Sequence, residues 1–135
     1  VEALLDVLDE AGVPVGVVSN KKGDLLRREV AHLGWAGRFF GVVGAQDAPR
    51  DKPDPAPLLL ALQVIEIKSS SSVWMVGDTD VDMRAGLAAG CSAVLVGPGP
   101  EDPALLAGAE PTARFHSCNA LAGFVSGEGG TISQE

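Results

Sequence analysis

Cysteine is scarce in this 135-residue chain. The two that occur, Cys91 and Cys118, form neither a CxxC pair nor the dense framework of a small secreted domain, which points to a reducing cytosol. Long apolar runs are missing as well: none reaches the roughly 18 residues that cross a bilayer, and no basic segment followed by an apolar one opens the chain. Nothing in the sequence addresses it to a membrane. Positive charge is in deficit, 10 Lys and Arg against 18 Asp and Glu, for a net −8 at pH 7. A chain so charged repels a phosphate backbone, so nucleic acid is not an expected partner. An initiating Met is also lacking: Val1 stands at the head of an amphipathic helical pattern, and the chain is expected to begin partway through a longer protein.

What is present describes a folding domain. Hydrophobic residues make up 46% and charged residues 21%, with 17 Gly and 9 Pro, a composition of globular proteins. The length fits one domain able to bury a core without disulfides. No internal repeat is visible. The core is expected over residues 1–125, and 126–135, without apolar periodicity, is expected to be a disordered tail.

Helical and extended patterns alternate. Val1, Leu4, Leu5 and Leu8 mark a helix closed near Gly12. Val13 to Val18 is a continuous apolar run, as in a strand covered on both faces, and it ends at Ser19 and Asn20. Leu25, Leu26, Val30 and Leu33 predict a second helix ending at Gly34, and Phe39 to Val43 a short strand. Gly44 to Pro57 is rich in Asp, Pro and Gly and reads as loop until a helix that begins near Asp54 and continues through Leu58 to Ile65. Val73 to Val76 is the next strand, followed by a helix from about Val81 to Ala89, a glycine at Gly90 and a strand from Ser92 to Val96. Beyond it lie a short helix at Pro103 to Ala107, an extended piece at Thr112 to Phe115 and a helix after Asn119. This alternation predicts an α/β fold: a parallel sheet between helical layers, with ligands binding beyond the carboxyl ends of the strands.

Three polar motifs fall at such ends. Asp78, Asp80 and Asp82 crowd three carboxylates into five residues where a strand turns into a helix. Magnesium, which takes carboxylate oxygens together with water and substrate phosphate, would compensate them. Asp78 is then the nearest ligand, Asp82 orients a bound water or a lysine, and Asp80 points elsewhere; equally, the acids could cap the following helix. Ser19 and Asn20 can hydrogen-bond phosphate oxygens, and are also favoured helix caps. Lys52, within Asp51-Lys52-Pro53-Asp54-Pro55, is a point charge on a restricted backbone, suited to a phosphoryl group; most loop lysines are simply solvated. His32, His116, Trp35, Trp74 and Cys91 read as structural or solvated, and Asp47 and Asp51 as loop acids, with Asp47 able to approach the site.

Taken together, Val17-Val18-Ser19-Asn20, Lys52-Pro53-Asp54-Pro55 and Val76-Gly77-Asp78-Thr79-Asp80-Val81-Asp82-Met83, continued by Arg84-Ala85-Gly86-Leu87-Ala88-Ala89-Gly90-Cys91, resemble the haloacid-dehalogenase-like hydrolases, specifically the phosphoglycolate-phosphatase-like members, over Val13 to Val96. The resemblance implies a Rossmann-like three-layer α/β/α sandwich and magnesium-dependent phosphomonoester hydrolysis through an aspartyl-phosphate, acting on a small phosphorylated metabolite. Ser19 and Asn20 would then bind the phosphoryl group, Lys52 neutralise it, Asp78 hold magnesium and Asp82 support both. That family's first motif, a strand ending in Asp-x-Asp that carries the nucleophile, has no counterpart here. Its place is central in the sheet, between the strands ending at Val18 and Val76, and a cap domain normally follows it. The chain is thus expected to be a C-terminal portion with two unpaired strand edges, inactive alone, its missing strand supplied by an N-terminal segment or another chain. A dehalogenase of the same superfamily, or a non-catalytic phosphate- or partner-binding domain, are the alternatives.

Overall fold

The computed structural model describes residues 2–127. Helix α1 spans Glu2–Glu10, strand β1 Val17–Lys22, helix α2 Gly23–His32, strand β2 Val42–Ala45, helix α3 Ala56–Val64 and strand β3 Trp74–Gly77. Helix α4 follows at Asp80–Ala88, then β4 at Ser92–Val96, β5 at Ala113–Phe115 and α5 at Cys118–Gly127; short 3-10 turns occupy Ala36–Arg38 and Pro103–Leu106. Ser126 and Gly127, expected in the tail, close α5, while 128–135 lie outside the described residues.

All strand pairs are parallel, but they form two sheets, β2-β1 and β3-β4-β5. Four strands therefore each keep one edge without a ladder partner among the described residues: β2 and β5, together with β1, whose other side holds β2, and β3, whose other side holds β4. Burial follows the topology. Every residue of central β4 is buried, whereas every residue of β3 and the first half of β1 is only half-buried.

Alternation along the strands sorts the core into two layers. Trp74, Val76, Val96 and Phe115 face α1 and α5, where Leu4, Leu121 and Ala122 complete one cluster. Ala93 and Leu95 face Met83 of α4 with Leu106 and Ala109, and Met75 turns the same way toward Leu58, Leu62, Ala85 and Ala89, joined by Val18. Helices thus cover both sides of a Rossmann-type parallel α/β fold.

The end of α4 explains one sharp reversal. Gly90, at φ +83°, closes α4 in a Schellman motif in which its N–H donates to the Leu87 carbonyl and that of Cys91 to the Gly86 carbonyl. Gly86 itself answers to packing: a Cβ there would stand 2.7 Å from Met75 Cβ, an atom fixed to the β3 backbone. Gly86→Ala should therefore lower stability by about 1–2 kcal/mol, overpacking outweighing the gain in helix propensity. A urea midpoint equal to or above that of the parent chain would show that α4 is free to lift from β3.

Two strands are displaced from their expected places. The run Val13 to Val18 predicts a strand ending before Ser19, yet β1 starts at Val17 and carries Ser19 and Asn20 within it. Its ladder reaches back only to Val15, whose carbonyl accepts from Phe40 N–H. Likewise β2 begins at Val42 rather than Phe39, because the Phe40 ring packs on Gly16, where a Cβ would meet it at 2.6 Å.

Candidate active site

Three segments distant in sequence meet beside β1 and at the carboxyl end of β3. The first is the Val18 to Asn20 stretch of β1, the second the loop between β2 and α3, the third the junction of β3 with α4. Lys52 joins them. Its Nζ donates to the Val18 carbonyl at 3.1 Å and to Asp82 Oδ1 at 2.5 Å, with side chains only 8% and 12% exposed. An ion pair so far from water is geometrically restrained in a way that a surface pair is not.

Asp82 is held in turn. Its Oδ2 accepts from the backbone N–H of Asp78 at 3.2 Å and of Thr79 at 3.3 Å, and from the Thr79 hydroxyl at 3.1 Å. The Thr79 hydroxyl accepts from Asp82 N–H, which completes a capping box at the start of α4. The capping that the sequence offers as the alternative is thus performed by Asp82, the carboxylate that also pairs with Lys52. Gly77 makes this approach possible: a Cβ there would fall 2.4 Å from Asp82 Cβ.

On the β1 side, Asn20 Nδ2 donates to the Lys52 carbonyl at 3.0 Å and Lys52 N–H donates to Asn20 Oδ1 at 3.1 Å. Ser19 is half-buried, and its Oγ accepts from Lys21 N–H at 3.1 Å. It lies beside Val18, whose carbonyl holds the ammonium, but makes no direct contact with Lys52 or Asp78 among the hydrogen bonds formed.

The acids divide. Asp80 pairs with Arg84 Nε at 3.6 Å, and that guanidinium also donates to the Leu105 and Ala107 carbonyls, so Asp80 faces away from Lys52. Asp47 accepts from Arg27 at 2.9 Å and from Gly44 N–H at 2.8 Å, contacts that hold its carboxyl below the usual carboxylate range, Arg27 first. This tether between α2 and the loop after β2 is complete above the ordinary carboxylate pKa and is lost as pH falls through the lower folded value. Asp51 accepts from Gln46 N–H, within the same loop. Asp78 is exposed, and its carboxylate has no partner among the described residues.

That division bears on magnesium. Among the described residues no three Asp, Glu, His or Cys side chains gather into a metal-holding group. Asp82, saturated by Lys52 and three hydrogen-bond donors, has little left for a cation. The exposed Asp78 carboxylate would fit such an ion as one hard oxygen ligand. His32 and His116 are exposed, and Cys91 is buried, which pushes its thiol pKa up.

Sequence reasoning did not reach Thr79 or the steric role of Gly77. The spacing Thr79-Asp80-Val81-Asp82 carries a capping-box signal; the contact of Gly77 with Asp82 carries none. No helix among the described residues is long and apolar enough to cross a membrane.

Known proteins resemble this chain in sequence and in fold. The phosphoglycolate phosphatase of Neisseria meningitidis is 39% identical over 105 residues, covering 78% of this chain and 44% of the relative. A solved hydrolase of the haloacid dehalogenase superfamily from Ehrlichia chaffeensis superposes with a TM-score of 0.69 at 34% identity, over 73% of this chain and 50% of that one. A structure described as a predicted phosphoglycolate phosphatase, from Haemophilus somnus, gives 0.77 at 25% identity, over 89% and 53%. The chain spans less than half the length of the curated relatives it matches. A family model for haloacid dehalogenase-like hydrolases matches residues 1–96, and the chain belongs to that family.

Proposed function

We propose that this chain contributes the phosphate- and metal-binding half of a magnesium-dependent phosphomonoesterase of the phosphoglycolate-phosphatase kind. The observation that carries the reading is the continuous path from Asn20 through Lys52 and Asp82 to the Asp78 backbone, which draws three separated segments onto one rim. In this scheme Lys52 neutralises charge on the transferring phosphoryl group, and Asp82 keeps the ammonium aimed. Ser19 Oγ and backbone N–H groups at the start of α2 hydrogen-bond phosphoryl oxygens. Magnesium, when bound with Asp78 among its ligands, supplies further charge neutralisation and orients the phosphate.

The nucleophile comes from outside these residues. We assign it to an aspartate on an extended strand lying between β1 and β3, each of which keeps one edge without a ladder partner among the described residues. Its carboxylate oxygen attacks phosphorus as the ester oxygen departs with a proton from the second aspartate of that strand; the second aspartate then takes a proton from water, which cleaves the acyl phosphate to inorganic phosphate and restores the carboxylate. The likeness to the Neisseria enzyme favours a small phosphorylated carboxylate as substrate, in a cytosolic setting consistent with two free cysteines.

The test is phosphate release from 2-phosphoglycolate by the complete protein, with magnesium and with EDTA. We expect magnesium-dependent release, and none from the 135-residue chain alone. Chloride release from a 2-haloacid without magnesium, and no phosphate release, would overturn the proposal in favour of a dehalogenase.

A further inference from the structure

The sequence offers Asn20 as a group that touches phosphate, but its amide is already engaged. The carbonyl oxygen accepts from the Lys52 N–H at 3.1 Å and the Nδ2 donates to the Lys52 carbonyl at 3.0 Å, so one side chain grips both ends of a single residue 32 positions away. We propose that Asn20 is a positioning residue, acting on the phosphoryl site through Lys52 rather than on the ligand. Two antiparallel hydrogen bonds to one backbone unit fix its orientation as well as its distance, which a single bond cannot do. The rest of the loop leaves this work undone. Asp51 accepts from Gln46 N–H and Asp54 from Ala56 N–H, contacts internal to the segment that shape it without fastening it to β1. On the lysine stem, Asp82 and the Val18 carbonyl hold only the far end, at Nζ. The clasp therefore fastens the near end, and Lys52 is held at both.

Its importance for phosphate rests on the function proposed above; the clasp itself does not. The 135-residue chain contains four lysines, Lys21, Lys22, Lys52 and Lys68. Acylation by a water-soluble succinimidyl ester, quantified by peptide mass spectrometry, reads how well each amine is shielded. In the parent chain Lys52, 8% exposed, should label far more slowly than Lys68. Asn20→Ala should raise Lys52 labelling about tenfold relative to Lys68, the size expected from losing two hydrogen bonds. Asn20→Asp, which keeps the acceptor for Lys52 N–H but sets an oxygen against the carbonyl, should fall between. Alkylation of buried Cys91 serves as the measure of global opening and should not change.

Equal Lys52 labelling in the parent and Asn20→Ala chains would overturn the proposal. So would a parallel rise at Cys91, which would make Asn20 a support of the whole fold. Repeating the series with inorganic phosphate separates the two readings: protection of Lys52 supports the phosphate site, whereas no protection alongside an intact Asn20 effect removes the phosphate site and leaves the clasp standing.

Discussion

Replacing Lys52 by Met should lower the unfolding free energy of the chain by about 3 kcal/mol, because the Asp82 carboxylate then stays buried without its cation. Methionine keeps most of the stem, so packing changes little and the loss reports charge. Removing one member of a buried pair costs about 3–5 kcal/mol in general; the lower end applies because Asp82 retains three hydrogen-bond donors at Oδ2. Asp82→Asn strands the ammonium instead, and should cost about as much. The double variant Lys52→Met with Asp82→Asn removes both charges and should recover at least ~1 kcal/mol of the summed loss, as groups in direct contact do not add. Urea unfolding, with slopes compared before midpoints, measures all four chains. Strict additivity would show that the two charges do not depend on one another, and the site would lose its central element.

How far the sequence reached depends on what each position had to satisfy. Strand β4 runs over the expected residues, Ser92 to Val96, because a strand buried on both faces must be a continuous apolar run. Gly34 and Gly90 end their helices as read, at φ +75° and +83°, a conformation that few other residues adopt. Strand β1 starts later than its apolar run predicts. Its last residues, Asn20 to Lys22, are exposed and polar, and belong to a strand only through pairing with β2, which no local pattern records. The apolar Phe39 and Phe40 mimic a strand start for the opposite reason, one of them serving to pack Gly16.

The site was legible to a similar depth. Lys52 and the acids stood out because charge beside proline, or three carboxylates in five residues, needs an explanation from local chemistry alone. What each of them holds did not stand out. The grip of Asn20 on Lys52 spans 32 residues, and the room for Asp82 depends on a missing Cβ at Gly77. Both are distances, set by how β1, the loop and β3 are brought together, and residue type carries no record of them.

The acids supply the sharpest contrast for the proposed reaction. In the complete protein Asp78→Asn should reduce magnesium-dependent hydrolysis of an aryl phosphate by on the order of a hundredfold, whereas Asp80→Asn should leave it within about twofold. The two residues are two apart, share the same turn and carry the same charge, so general electrostatics cannot separate them. Their partners do: Asp80 faces Arg84, which is tied to the Leu105 and Ala107 carbonyls, while the Asp78 carboxylate is exposed beside the rim that Lys52 occupies. Asparagine preserves the size of Asp78, and the backbone N–H that it offers Asp82 is untouched, so the lysine anchor survives the substitution. The loss should therefore appear as a higher magnesium requirement with the urea midpoint unchanged. Equal losses in the two variants would assign the effect to net charge at the turn, and an unchanged magnesium titration for Asp78→Asn would take that residue out of the metal's ligand set.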